Sequence, residues 1–156
     1  MSKKPVTNIT VSYNIALVTL ENIPNDITVI SGIFSSIADQ KINIDMISQT
    51  PPYKGNISLS FTIQSEDLLK AISEMNKFKK DIPNLQIEID SDNTKVSIYG
   101  EEMKNLSGVA ARLFGIMAEI GAEIKLVTTS EVDISYLIYE KDVDRVIEAV
   151  KKEFEL

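Results

Sequence analysis

The 156-residue chain contains no His and no Cys. That removes the commonest general base, the commonest metal ligand, thiolate chemistry and every disulfide. The glycines are scattered and none opens a phosphate loop ending in Lys-Ser or Lys-Thr. The carboxylate pairs Glu101-Glu102 and Asp142-Asp144 fall at loop or helix starts, where solvation and the helix dipole account for them. No catalytic residue, cofactor or metal is expected, and what remains is binding chemistry. It is concentrated between Asn22 and Gln49, where a loop with Pro24, Asn25 and Asp26 opens a helix. The first-turn N–H groups of Thr28, Val29 and Ile30 have no helical acceptor and lie at the positive end of the dipole, which suits a carboxylate. Asn25 or Asp26 can accept from an ammonium, and Gln49 can both donate and accept. The bland alternative is that Asn25 is a helix cap and Gln49 a polar strand end.

The elements that must hold these groups follow from periodicity. Ile27, Ile30, Ile33, Phe34, Ile37 and Ala38 recur at three and four, which predicts a helix, and after Lys41 the period drops to two, so Ile42 to Ser48 reads as a strand. Before this helix, Val6 to Ser12 and Ile15 to Glu21 read as strands with Tyr13-Asn14 as a turn. After it come a Pro51-Pro52 break, a strand from Ile57 to Ile63, a helix with Ser65 as its cap and Leu68, Leu69, Ile72 and Met75 on its apolar positions, and a strand from Leu85 to Asp90. Ser91-Asp92-Asn93 reads as the boundary turn.

The same order then repeats. Thr28 to Gly108, Ile33 to Leu113, Phe34 to Phe114 and Ile44 to Ile124 are all 80 residues apart, and Val18-Thr19-Leu20 precedes Val96-Ser97-Ile98 by 78. Ile57-Ser58 matches Ile134-Ser135 at 77, and Leu68 and Ile72 match Val143 and Ile147 at 75. Offsets that change only in loops indicate a duplicated module. Two βαββαβ units, antiparallel sheets with helices on one face, make the predicted fold class α+β, ferredoxin-like and tandem. The modules are predicted at 13–92 and 93–156. The second lacks a closing strand, so the segment 6–12 is expected to complete its sheet; the other reading has that segment flank the first.

Hydrophobic content of 44% with 25% charged residues is globular, and no apolar run approaches the ~20 residues that span a bilayer. A net charge of -7 disfavours nucleic acid and anionic membrane as partners. The start MSKKPVTN has no apolar core, so a cytoplasmic location is expected.

The residues resemble the regulatory end of aspartokinases, which carries tandem ACT domains. In the first copy the resemblance rests on Pro24-Asn25, Ile33-Phe34 and the run Ile42 to Gln49; in the second on KVSIYGEEM, SGVAARLF and TTSEVDIS (Thr128 to Ser135). It covers nearly the whole chain from Ile9 onward. It implies allosteric sensing of lysine or threonine by an amino-acid-binding module, a homodimer built through ACT units, and an aspartokinase catalytic chain as a partner. It also adds Glu123 and Ile124, at the positions where the family has an Asn-Ile pair approaching the ligand through its backbone. The family's Pro-Asp-x-Pro-Gly loop is Pro24-Asn25-Asp26-Ile27-Thr28 here, while the second copy keeps Gly108. The competing class is an interaction module that has lost its ligand and serves oligomerisation.

Overall fold

The computed structural model describes residues 3–156. Ten principal elements follow in order: β1 (Asn8–Pro24), α1 (Ile27–Asp39), β2 (Ile47–Gln49), β3 (Asn56–Gln64), α2 (Leu68–Lys77), β4 (Gln86–Tyr99), α3 (Val109–Ile120), β5 (Ile124–Thr129), β6 (Asp133–Tyr139) and α4 (Val143–Phe154). Short 3-10 turns precede α2, α3 and α4. Among the described residues no helix is long and apolar enough to cross a membrane.

The chain forms two compact units, one of Asn14–Ser91 and one joining the N-terminal residues through Tyr13 to Asp92–Leu156. In the first, the strand order is β2-β3-β1-β4; in the second it is β5-β6-β4-β1. With two helices each, both units are ferredoxin-like α+β folds.

The turns expected at Tyr13-Asn14 and Ser91-Asp92-Asn93 do not interrupt the strands. β1 and β4 each run from one unit into the other, and the punctuation is a single left-handed residue inside each, Asn14 at φ 59° and Asp92 at φ 61°. Asn and Asp tolerate that conformation because their short polar side chains bond locally. A sequence signal for a turn is here a twist within an extended strand.

In the first unit Ile30, Ile33 and Ile37 of α1 pack with Val18, Leu20, Leu59, Phe61, Ala71 and Met75. Burying each large aliphatic side chain contributes about 2 kcal/mol. Two residues assigned to apolar faces point outward instead, Ile27 at 77% and Leu69 at 83% exposure: Ile27 opens α1 ahead of the core, and Leu69 stands about 200° around α2 from the buried Ala71, while Leu68 beside it packs inward. Ser65 opens a 3-10 turn and does not cap α2. The strand expected from Ile42 shortens to β2, since Thr62 takes over the pairing: its Oγ1 accepts the Met46 N–H at 2.9 Å and its carbonyl the Asp45 N–H at 3.2 Å.

In the second unit Leu113, Ile116 and Met117 of α3 pack with Val96, Ile98, Tyr136, Val146 and Val150, and Val6 joins them. The Thr7 N–H donates to the Tyr99 carbonyl at 2.8 Å. Gly100 has extended backbone, φ −168°, so its lack of a side chain answers to space alone: a Cβ there would overlap the Pro5 carbonyl.

The pairing registers also fix the repeat. Thr19 lies opposite Ser60 and Ser97 opposite Ser135. β3 and β6 therefore match at an offset of 75, as 135 minus 60, and not at the 77 read from Ile57-Ser58.

Candidate functional site

Equivalent helix starts in the two units have been finished differently. At α1, Asp26 is the cap, with extended backbone and a carboxylate that accepts the Thr28 N–H at 2.9 Å. The Ile30 N–H is bound to the Asp26 carbonyl at 3.1 Å, and the Asn25 N–H to the Gly55 carbonyl at 2.9 Å. Of the three donors expected from sequence, Thr28 and Ile30 are therefore already engaged. Among the described residues no acceptor takes the Val29 N–H. The Asp26 oxygen stands where an incoming carboxylate would go, which is ordinary capping geometry.

At α3 the cap position is taken by Gly108, left-handed at φ 82°, which matches Thr28 in the repeat, so α3 starts two residues later than α1, and no side chain caps it. A Cβ on Gly108 would meet nothing within 4 Å, so only the backbone angle asks for glycine. The Arg112 N–H bonds the Gly108 carbonyl at 3.0 Å and so winds the first turn. Among the described residues no acceptor takes the N–H of Val109 or Ala110. These groups line a cavity of about 420 Å³ closed by Lys104, Leu106, Thr129, Ser130, Glu131 and Ile134. The arrangement offers oriented N–H donors, hydroxyls, one ammonium and one carboxylate around an apolar floor, which is the chemistry of a small zwitterion.

The cavity wall is bolted in place. The Ser130 hydroxyl donates to Asp133 Oδ1, the Val132 N–H donates to Ser130 Oγ at 3.2 Å, and the Ser130 N–H reaches the Asp133 carbonyl at 2.9 Å. Asp133 Oδ2 in turn accepts from the buried Ser135 hydroxyl at 3.3 Å.

The remaining expected residues are dispersed. Gln49 ends β2 opposite Leu59, and no hydrogen bond ties it to the α1 start among the described residues. Glu123 lies 3.8 Å from Lys125, whose ammonium sits 3.6 Å from the Tyr139 ring centroid. Ile124 is half-buried opposite Ile138. Both belong to the unit of α3. In the unit of α1 two cavities are lined by other residues: one of about 580 Å³ by Asn22, Pro24, Asn56, Asp81 and Gln86, and one of about 310 Å³ by Tyr53, Lys54 and Ser58. Among the described residues no cluster of acidic side chains could hold a metal ion.

Lys104, Ser130 and Glu131 were not singled out from the sequence. The available signal was Gly108, the one helix start that keeps a glycine where its counterpart has Thr28.

One buried group is perturbed. Tyr136, fully buried, has no partner for its hydroxyl among the described residues, and burial pushes its pKa up to about 12. Its ring meets Phe114 edge-on at 5.4 Å between centroids.

Comparison with known proteins returns one family. A model described as ACT domain matches twice, over residues 21–77 and 96–154. The aspartokinase of Bacillus sp. (strain MGA3) is 35% identical over 142 residues, covering 91% of this chain and 34% of the relative. The ligand-free regulatory subunit of aspartate kinase from Thermus thermophilus superposes with a TM-score of 0.87 at 28% identity, over 97% of this chain and 99% of that one. A structure of aspartokinase alpha and beta subunits gives 0.87 at 32% identity, with the same coverage of 97% and 99%. The chain spans about a third of the length of the curated relatives it matches.

Proposed function

The chain belongs to the ACT-domain family as the regulatory region of an aspartokinase, and on that premise we propose that it senses an amino acid, lysine or threonine, for feedback control of aspartate-family biosynthesis. The observation that carries the reading is the open helix start at α3: unclaimed Val109 and Ala110 N–H groups on a cavity of about 420 Å³. The ligand's α-carboxylate seats on those donors, and its ammonium meets Glu131 or a hydroxyl of Thr129 or Ser130. Feedback follows from linkage: a ligand that prefers one arrangement of the regulatory region shifts the population of that arrangement by its difference in affinity.

The set Asn25, Asp26, Thr28, Val29, Ile30 and Gln49, with Glu123 and Ile124, is the second location. The free Val29 N–H and the exposed acceptors of Asn25 and Asp26 favour it. There Asp26 would have to yield the Thr28 N–H, or serve the ligand's ammonium while Val29 serves the carboxylate.

The modules are proposed to run 13–92 and 93–156, with the segment 6–12 working as part of the second; the Thr7 to Tyr99 bond and the burial of Val6 support this. A homodimer through ACT units, a cytoplasmic location and an aspartokinase catalytic chain as partner complete the proposal. Isothermal calorimetry of the full chain with the twenty amino acids tests it. Saturable heat with lysine or threonine is expected, and heat with none would leave an oligomerisation module that has no ligand.

A further inference from the structure

The bonds around Asp133 continue past the cavity wall into the sheet. The Ser97 and Ser135 hydroxyls are 2.8 Å apart, on paired positions of β4 and β6. Geometry leaves that bond open in direction, but Ser135 has one hydrogen and it goes to Asp133 Oδ2 at 3.3 Å. Ser97 must therefore donate to Ser135. From the other side, Ser130 donates to Asp133 Oδ1 and accepts from the Val132 N–H. The carboxylate is thus an acceptor fed from two directions, one from the sheet interior and one from the loop that forms the cavity wall. On the sheet side Ser135 both accepts and donates, so those two bonds strengthen each other; at the carboxylate the donors converge, and what links the two sides is the fixed position of the Asp133 side chain.

The other unit has the same ends without the middle. Thr19 and Ser60 reproduce the hydroxyl pair at 3.1 Å, and Thr50, the counterpart of Ser130, bonds the backbone of Ser58 and, among the described residues, no side chain. Ser58 stands at the place of Asp133. There is no carboxylate to join the sheet pair to the loop.

Resting on the amino-acid reading of the α3 cavity, we propose that Ser97, Ser135, Asp133 and Ser130 act as one hydrogen-bonded rod that sets the cavity wall, with Asp133 as its positioning residue. None of the sheet members lines the cavity, so the rod acts on a ligand only through the loop it holds. Removing Ser97, at the far end, should loosen the Val132 amide without touching it.

The test uses the full chain and two readouts. Ser97→Ala should speed hydrogen exchange at the Val132 amide severalfold, with about fivefold, the worth of one net hydrogen bond, as the ceiling of an effect transmitted through Asp133. Ser97→Thr, which keeps the hydroxyl, should restore the wild-type rate, a rescue that a packing effect would not give. Thr19→Ala should leave the Ser58 amide unchanged. In calorimetry, Ser97→Ala should weaken lysine or threonine by a similar factor. An unchanged Val132 rate in Ser97→Ala overturns the rod, as does failure of Ser97→Thr to rescue it. If wild-type protein binds neither amino acid while the exchange rate still responds, the amino-acid reading falls and the rod stands.

Discussion

The starts of α1 and α3 descend from one pattern and now differ in who occupies the anion position. At α1 it is filled by the chain's own Asp26; at α3 it is left to solvent and opens on a cavity. A duplicated module can thus keep its fold in both copies while the open donors differ: among the described residues, Val29 at α1, and Val109 with Ala110 at α3. Each helix start needs its N–H groups answered, and either a cap or a ligand will serve. The same division recurs in the cores. Phe34 meets Phe61 at 6.1 Å in the first unit, and at the matching positions Phe114 meets Tyr136 at 5.4 Å, so the second core holds one hydroxyl more.

The largest predicted difference concerns the matched positions Asn22 and Gly100. Gly100→Ala forces a Cβ onto the Pro5 backbone and should destabilise the second unit by about 3 kcal/mol, the upper end of an overpacking cost. Asn22→Ala removes a residue suited to φ 66° together with its side-chain bond to the Asn84 carbonyl at 2.9 Å, and should cost about 2 kcal/mol. Denaturant titration of both variants checks this; equal losses would mean that Pro5 moves aside.

Exchanging the aromatic pair should come next. Tyr136→Phe deletes a buried hydroxyl without a partner among the described residues and should stabilise the protein by about 1 kcal/mol, while Phe61→Tyr should destabilise it by about 2 kcal/mol. The pH dependence has a definite sign. The folded pKa of Tyr136 is about 12, above the ~10 of an exposed phenol, so its contribution is intact below pH ~10 and is lost as pH rises toward 12. Tyr136→Phe should remove that alkaline loss, seen as a flatter melting temperature above pH ~10.

A smaller effect is expected where the helices end. α1 stops with Lys41 at φ 58° and α3 with Gly121 at φ 67°, the same closing turn. Gly121→Ala should cost about 1 kcal/mol, and Lys41→Gly should gain a fraction of that, because relief of strain is partly offset by chain entropy.

The smallest lies between the helices. The Ser36 hydroxyl and then Lys77 hold Glu74 below the usual carboxylate range, whereas Ile116 and Ala149 occupy the matching places in the second unit. With the folded pKa depressed, this contribution is present above the ordinary carboxylate value and fades as pH falls. Glu74→Gln should shrink the acid sensitivity of the first unit, followed by hydrogen exchange of α2 amides.

Much of this architecture was legible in the sequence. Apolar spacing placed all four helices, and constant offsets disclosed the duplication, because core positions of a repeat cannot drift without loss of packing. What was not legible depends on single backbone angles and on which polar group wins a donor. Asn14 and Asp92 look like turn residues but only twist their strands. The sequence reading offered Asn25 as the α1 cap, and the folded loop, with the Asn25 N–H fixed to Gly55, gives that place to Asp26 instead. Gly108 to Ala110 and Thr129 follow from the repeat, but Lys104 before the helix and Ser130 and Glu131 after β5 share no spacing with them and so escaped notice.

The division between the two helix starts can be tested by an amide-resolved NMR titration of the full chain with L-lysine and L-threonine. The account predicts saturable shifts at Gly108, Val109, Ala110 and Ser130 with one of them, while Thr28 and Ile30 stay still. Shifts confined to Thr28, Val29 and Ile30 would contradict it, since Asp26 would then be a cap that a ligand displaces.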